Sequence, residues 1–357
     1  MANKPTGREL SRRRERLTDS QLLMTITICI FVGMYILAMA IWGGGFLRWQ
    51  QLFDMFNNNA ALIIITCGMT VVMITGGIDL SVGAVVALVV MSDVIFMDDQ
   101  GGNPFTAFLL SLAIGLAFGV VQGLLVSKLD IQPFIVTLAG MFFARGMTTV
   151  VSVQPRNIAN EAFVAMKDAK IEMSALGHEA NNGNLIPARM EWGVVVALIV
   201  VAIVFILLRW SRVGRDLYAV GGNPQSAMML GINVSNTKLF AYILSGLLSG
   251  IAGYVFLMHT GAGNASNASA WEMTAIASAI MGGTLLTGGV GNVIGSMFGV
   301  LTIMLIRSVV VASGLSEPWW QSITTGAMLC FFIVLQSIVV ANRGRKRMSG
   351  SGEPKKI

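Results

Sequence analysis

The chain has 357 residues, of which 55% are hydrophobic and 12% charged, with a net charge of +6 and a mean hydropathy of +0.73. A soluble globular protein carries about 25% charged residues, so water is excluded as the solvent around most of this fold, and lipid takes its place. Forty glycines against eight prolines suit membrane helices that approach one another through small residues.

Spanning a hydrocarbon core of about 30 Å at about 1.5 Å per residue takes roughly 20 apolar residues. Runs of that kind fall at 21–42, 58–76, 79–97, 104–126, 131–152, 192–209, 237–258, 272–288, 292–313 and 319–341. The fold class read from them is all-α, a polytopic membrane protein of about ten transmembrane helices. Glycines interrupt the second, eighth and ninth. The first run follows Arg8, Arg12, Arg13, Arg14 and Arg16, and Ala38-Met39-Ala40 inside it mimics a cleavage site. It is longer than the roughly 7–15 residues of a cleavable apolar region, which predicts an uncleaved helix.

Lysine and arginine set the orientation. One side collects the basic tail 1–20, Lys128, Arg209, Arg212, Arg215, Lys238 and the basic tail 342–357. The other holds Arg48, Arg156, Lys167, Lys170 and Arg189 with most loop acids, among them Asp98, Asp99, Glu161, Asp168, Glu172 and Glu179. Both termini are therefore expected in the cytoplasm, around a membrane domain at 21–341. Two soluble segments interrupt that domain. Residues 153–191 form an outer loop with a short helix expected around 160–175, and 210–236 form the longest inner loop. Anionic lipid headgroups account for the basic tails, and nothing calls for nucleic acid.

Several chemistries are missing from the sequence. No Gly-Lys pair exists, so no phosphate loop of the GxxxxGK[ST] kind is possible. His178 and His259 are far apart, and Cys29, Cys67 and Cys330 lie singly in apolar runs, reading as small buried hydrophobes. No metal site and no enzyme is expected. Among the charges within spans, Asp79, Asp93, Arg145 and Arg307 stand out, and such residues are candidates for function. Asp93 reads as interfacial and Arg307 as either snorkelling or pathway-lining. Arg145 has no acid at helical spacing and reads as a pathway or helix-locking residue.

The stretch TGGIDLSVG (75–83) sets Asp79 between two apolar runs. Gly76 and Gly77 break the preceding helix, and Asp79 or Ser81 then takes the N-cap of the next, where a carboxylate accepts from free backbone N–H groups. A capping role and a direct pathway role both remain open for Asp79. The stretch TGGVGNVIG (287–295) echoes it faintly, as duplicated transporter halves do. In the inner loop, Gly221-Gly222 forms a turn, Asn223 caps a short helix with Pro224 at its first position, and Gly231 ends it. Ala227, Met228 and Leu230 give that helix a small apolar face suited to a groove.

Four stretches together carry a resemblance: GMTVVMITGGIDLSVGAVVAL (68–88), QPFIVTLAGMFFARG (132–146), VGRDLYAVGGNPQSAMMLGINV (213–234) and AIASAIMGGTLLTGGVGNVIGSMFGV (275–300). The chain resembles the permease subunits of bacterial ABC importers for simple sugars, of the ribose, xylose, arabinose and galactofuranose type. TLAGMFFARG leans toward the galactofuranose kind. The resemblance implies a plasma (inner) membrane location, a second permease, identical or homologous, and ABC ATPase subunits that bind the ATP and Mg, no cofactor being held by this chain. It also implies a periplasmic or lipid-anchored sugar-binding protein, and a coupling helix at 221–231 that docks into the ATPase. A neutral sugar needs hydroxyl, amide and backbone partners, so Asn57, Asn58, Asn59, Thr66, Thr70, Ser81, Thr137 and Arg145 are the candidate pathway residues. The rival readings are an ABC permease for branched-chain amino acids, which would want fixed countercharges, and an ion-coupled secondary transporter, which would want deep acids.

Overall fold

The computed structural model describes residues 19–43, 46–179, 185–315, 317, 319–320 and 322–334. Most of both basic tails and the end of the run to 341 lie outside the described residues. Helix α1 (Asp19–Trp42) is followed by α2 (Trp49–Asn57) and α3 (Ala60–Ile74), which meet at a 55° bend. Then come α4 (Val82–Asp98), α5 (Pro104–Lys128) and α6 (Pro133–Val151). Six helices among the described residues are long and apolar enough to cross a membrane, or seven if the bent pair is one span. Three of the ten expected runs form helices of fewer than 18 residues, α3, α4 and α12 (Trp271–Met281), and the last run is described as α14 over Ser322–Val334.

Local chemistry explains the helix starts. Asn103 and Thr106 form a capping box ahead of α5, each side chain bonded to the other's backbone N–H, with Pro104 at the first position. Ser211 caps α9 (Arg212–Gly222), Asn233 caps α11 (Val234–Thr260) and Asn292 caps α13 (Val293–Ala312), each through a backbone N–H in the first turn. Every residue of α3 is buried, so this apolar helix is the centre of the bundle rather than a lipid-facing wall. Helix α11 wraps it, packing on α5, α3 and α4. Where α5 and α11 cross, a Cβ on Gly115 would strike the Gly246 carbonyl, and such close backbone approach is how membrane helices gain packing contacts. Cys67 is buried, but Cys29 and Cys330 are exposed on the bundle's outside, against the expectation that all three are interior.

One end of the bundle departs from an all-α reading. There β1 (Arg156–Asn157) pairs with β4 (Ala262–Gly263), and β2 (Lys170–Glu179) pairs antiparallel with β3 (Leu185–Glu191) around an irregularity between Met173 and His178. The helix expected over 160–175 stops early: α7 spans Glu161–Asp168, Ala169 turns extended, and the strand begins at Lys170. Side-chain amides seat this hairpin on α2. Gln50 accepts from the Arg189 N–H (2.7 Å) and donates to its carbonyl (3.2 Å), while Asn57 accepts from the Glu191 N–H (2.9 Å). The two amides satisfy the edge of β3 as a neighbouring strand would. Helix α8 (Trp192–Trp210) then runs from this hairpin end to the opposite end, where α9 and α10 (Pro224–Met229) lie.

Candidate functional site

At the end opposite the hairpin, both echoing stretches are helix breaks. Residues 75–81 separate α3 from α4, and residues 282–292 separate α12 from α13. Asp79 is buried and bonded throughout: it accepts from the Ser81 N–H (3.0 Å), the Ser81 hydroxyl (2.7 Å) and the Ser245 hydroxyl on α11 (2.8 Å). Gln122 on α5 donates to the same Ser81 hydroxyl at 2.9 Å. Ser81 is the residue at the N-cap of α4, yet its hydroxyl makes no bond to that helix. Asp79 therefore collects hydroxyls from two segments rather than several free N–H groups, and it ties the break to α11. The Ile78 carbonyl, freed by the break, accepts from Tyr242 (3.3 Å) and Thr137 (3.3 Å).

The two breaks touch each other and the loop after α9. Gly289 donates its N–H to the Ile74 carbonyl (2.8 Å), capping the last turn of α3 from the other break. Gly221 lies so close that a Cβ there would strike the same Ile74 oxygen. Gly288 has φ +84°, and a Cβ on it would come within 2.8 Å of the Gly221 carbonyl and 2.9 Å of the Gly76 nitrogen. Tyr218 of α9 donates to the Gly291 carbonyl at 2.9 Å. Burial raises its phenol above the ordinary range, against a lowering by Arg209, so it is a protonated donor at neutral pH. Three Gly-Gly pairs, 76–77, 221–222 and 288–289, thus meet at one point.

Beyond that junction, Asn223 caps α10 by accepting from the Ser226 N–H at 2.8 Å, and Gly231 (φ +83°) ends the turn that follows. Met228, Met229 and Leu230 point outward at 65%, 88% and 80% exposure. Ala227, expected on the same outward face, is instead 2% exposed: its carbonyl takes the N–H groups of Leu230 and Ile232, which folds the segment back over it. The outward face is made of Met228, Met229 and Leu230.

The four charges singled out within spans find specific partners. Asp93 is wholly buried and accepts from the Ser111 hydroxyl at 2.6 Å, so it faces the interior of the bundle. A depth along the helix was legible, but not the serine that faces it from α5. Arg145 donates to three carbonyls, those of Ala265 (3.0 Å), Asn267 (2.6 Å) and Ala268 (3.0 Å), and so fastens α6 to the turn between β4 and α12. Ala268 and Ala270 in that turn have φ of +52° and +61°. Arg307 is half-buried and bonds to Thr325 at 3.4 Å.

The candidate pathway residues are not gathered in one place. Thr66 and Thr70 are fully buried in α3 and bond to carbonyls one turn back, Thr70 also reaching Ser296 (2.8 Å). Asn59 bonds to the Met55 carbonyl and braces the α2–α3 bend. Asn57 and Asn58 instead border a small pocket at the hairpin end, with Lys167, Glu191, Trp192 and His259. There His259 meets Glu191 at 2.7 Å and Lys170 meets it at 3.4 Å. Burial alone would raise the Glu191 carboxyl, but the His259 hydrogen bond and the neighbouring Lys170 hold it below the usual range. No three His, Cys, Asp or Glu residues among those described stand close enough to hold a metal ion. Ser245, Gln122, Tyr218 and Gly288–Gly291 were missed by sequence reasoning, although the repeated Thr-Gly-Gly pointed toward the last group.

A bundle of apolar spans with paired helix breaks and a short capped helix at one end defines a multi-pass membrane permease. Residues 51–333 match the model of the family described as branched-chain amino acid transport system / permease component, and the chain belongs to that family. It is 39% identical over 315 residues to the inner membrane ABC transporter permease protein YjfF of Escherichia coli, covering 88% of this chain and 92% of that one. It is 32% identical over 333 residues to the fructose import permease protein FruG of Bifidobacterium longum, covering 92% and 95%. The ribose import permease protein RbsC of Bacillus subtilis is 32% identical over 307 residues, covering 85% and 91%. No solved structure matches.

Proposed function

We propose that the chain is the transmembrane permease subunit of an ATP-binding-cassette importer in the bacterial inner membrane and forms the pathway for a monosaccharide. The observation that carries this reading is α10. A six-residue helix with a firm Asn223 cap holds Met228, Met229 and Leu230 out from the end of the bundle, and methionine-rich faces adapt to a partner groove. The partner is the ABC ATPase, which supplies ATP and Mg. A second permease completes the pathway, and an extracytoplasmic binding protein delivers the sugar. In this reading the ten helices cross the membrane with both termini in the cytoplasm, so α10 lies inside and the β2–β3 hairpin outside. The sugar names of FruG and RbsC favour a monosaccharide over a branched-chain amino acid.

The test is affinity purification of the tagged chain from native membranes, beside a Met229→Glu variant. The expected result is an ATPase that accompanies the parent and is lost from the variant, while the variant keeps its parent's elution volume. An unaccompanied parent chain would sink the reading.

A further inference from the structure

We propose that the meeting of the three Gly-Gly pairs is the transmission joint of this permease: Tyr218, Gly221, Gly288 and Gly289 are positioning residues that make α10 and both helix breaks move as one body. The inference rests on the reading of α10 as the segment that engages the ATPase. A push on α10 has two routes into the bundle. One runs along α11, which continues from it after a short turn through Gly231, a left-handed residue with open space around it. That turn is held by backbone bonds of its own, from Gly231 to Met228 and from Ile232 to Ala227. The other runs through α9, whose Tyr218 is hydrogen-bonded to the Gly291 carbonyl and whose last turn carries Gly221 against the Ile74 carbonyl.

The second route is rigid because nothing separates the backbones. The Ile74 carbonyl closes α3 and would otherwise lack a partner of its own helix. It takes the Gly289 N–H at 2.8 Å and is covered by Gly221. Gly288 is wedged between the Gly221 carbonyl and the Gly76 nitrogen. A shift of α9 therefore displaces residues 75–77 and 287–291 together. Those residues are the break points between α3 and α4 and between α12 and α13. Moving both at once changes the relative angle of two helix pairs, as a hinge mechanism requires.

The experiment uses the whole complex in vesicles, with nitroxide labels at Arg215 of α9 and Thr287 of the second break. Both residues are exposed. In the parent, the label-to-label distance is expected to be single and unchanged between ATP-free and ATP–vanadate states. Tyr218→Phe removes one hydrogen bond and no volume; Gly221→Ala inserts a methyl group at the Ile74 carbonyl. Each is expected to broaden that distance and to lower the uptake of mixed radiolabelled D-ribose, D-fructose and D-galactose per ATP hydrolysed, about threefold for Tyr218→Phe and tenfold or more for Gly221→Ala. Gly33→Ala, whose Cβ meets nothing within 4 Å, is expected to match the parent. A distance that stays single in Tyr218→Phe, with uptake per ATP unchanged, overturns the proposal whether or not Gly221→Ala assembles. A parent chain that carries no ATPase refutes the permease reading instead, and the nitroxide distance in the isolated chain still tests the joint.

Discussion

Replacing Arg145 by methionine keeps the length and most of the volume of the side chain but removes its fork of donors. Three carbonyls lose their partner, at Ala265, Asn267 and Ala268. Hydrogen bonds to a charged group contribute about 1.5–3 kcal/mol each, so simple addition gives roughly 4.5–9 kcal/mol. That sum overstates the loss, because Ala265 and Asn267 are only half-buried and their carbonyls can turn to water. Ala268 is buried, but its carbonyl keeps the Trp271 N–H at 3.3 Å, so it loses one charge-assisted hydrogen bond, about 1.5–3 kcal/mol, and not its last partner. The expected net cost is about 2–4 kcal/mol, with the 264–270 turn loosening first. Left-handed alanine costs about 1–2 kcal/mol per residue, so Ala268→Gly with Ala270→Gly in the Arg145→Met background should return about 2 kcal/mol. Cys67 is buried while Cys29 and Cys330 are exposed. With the latter two changed to serine, a thiol-reactive dye reports unfolding in detergent through Cys67 alone. Arg145→Met is expected to lower the midpoint by several degrees, and Arg145→Lys to recover less than half of the loss, since an ammonium does not reproduce the planar fork. An unchanged midpoint in Arg145→Met, or full recovery with lysine, would refute the view that the guanidinium locks the turn.

Ser245→Ala removes a donor from the buried Asp79 carboxylate and is expected to destabilise by about 1–3 kcal/mol, read in the same dye assay; no shift would mean that the break is held without α11. The Glu191 carboxyl is held below its ordinary range in the folded chain. Its contribution is therefore fully present above the unfolded value of about 4.3 and is lost as pH falls from there through the folded value. The midpoint, followed here by tryptophan fluorescence because thiols are unreactive in acid, is expected to drop on acidification below about pH 4.3, and Glu191→Gln to flatten that drop.

The helix start at Asn223-Pro224 was legible in the sequence, because the pair combines a side-chain acceptor with a preset first residue. The membrane character was equally plain from the long apolar runs. What composition could not supply was the identity of the neighbour across a gap. Arg145 has no acid at helical spacing, and its hydrogen-bond partners are backbone carbonyls 120 or more residues away, which no spacing rule detects. Asp93 gives its depth along α4 but not the Ser111 hydroxyl that meets it. The β2–β3 hairpin escaped notice because its strands are partly charged, and its edge is satisfied by the side chains of Gln50 and Asn57 rather than by another strand. The breaks at Gly76-Gly77 and Gly288-Gly289 were each visible. Their contact with each other and with Gly221 belongs to the three-dimensional fold alone.

The central claim is that transport through this chain is driven by an ATPase seated on α10. It is tested most directly by measuring uptake of radiolabelled D-ribose, D-fructose and D-galactose into vesicles. These would hold the chain alone, the chain with its co-purified ATPase and binding protein, or the same complex with Met229→Glu. Uptake of one of these sugars only by the complete complex, only with ATP, and not by the Met229→Glu complex is the predicted result. Uptake by the chain alone, driven by a proton or sodium gradient and indifferent to ATP, would contradict the account.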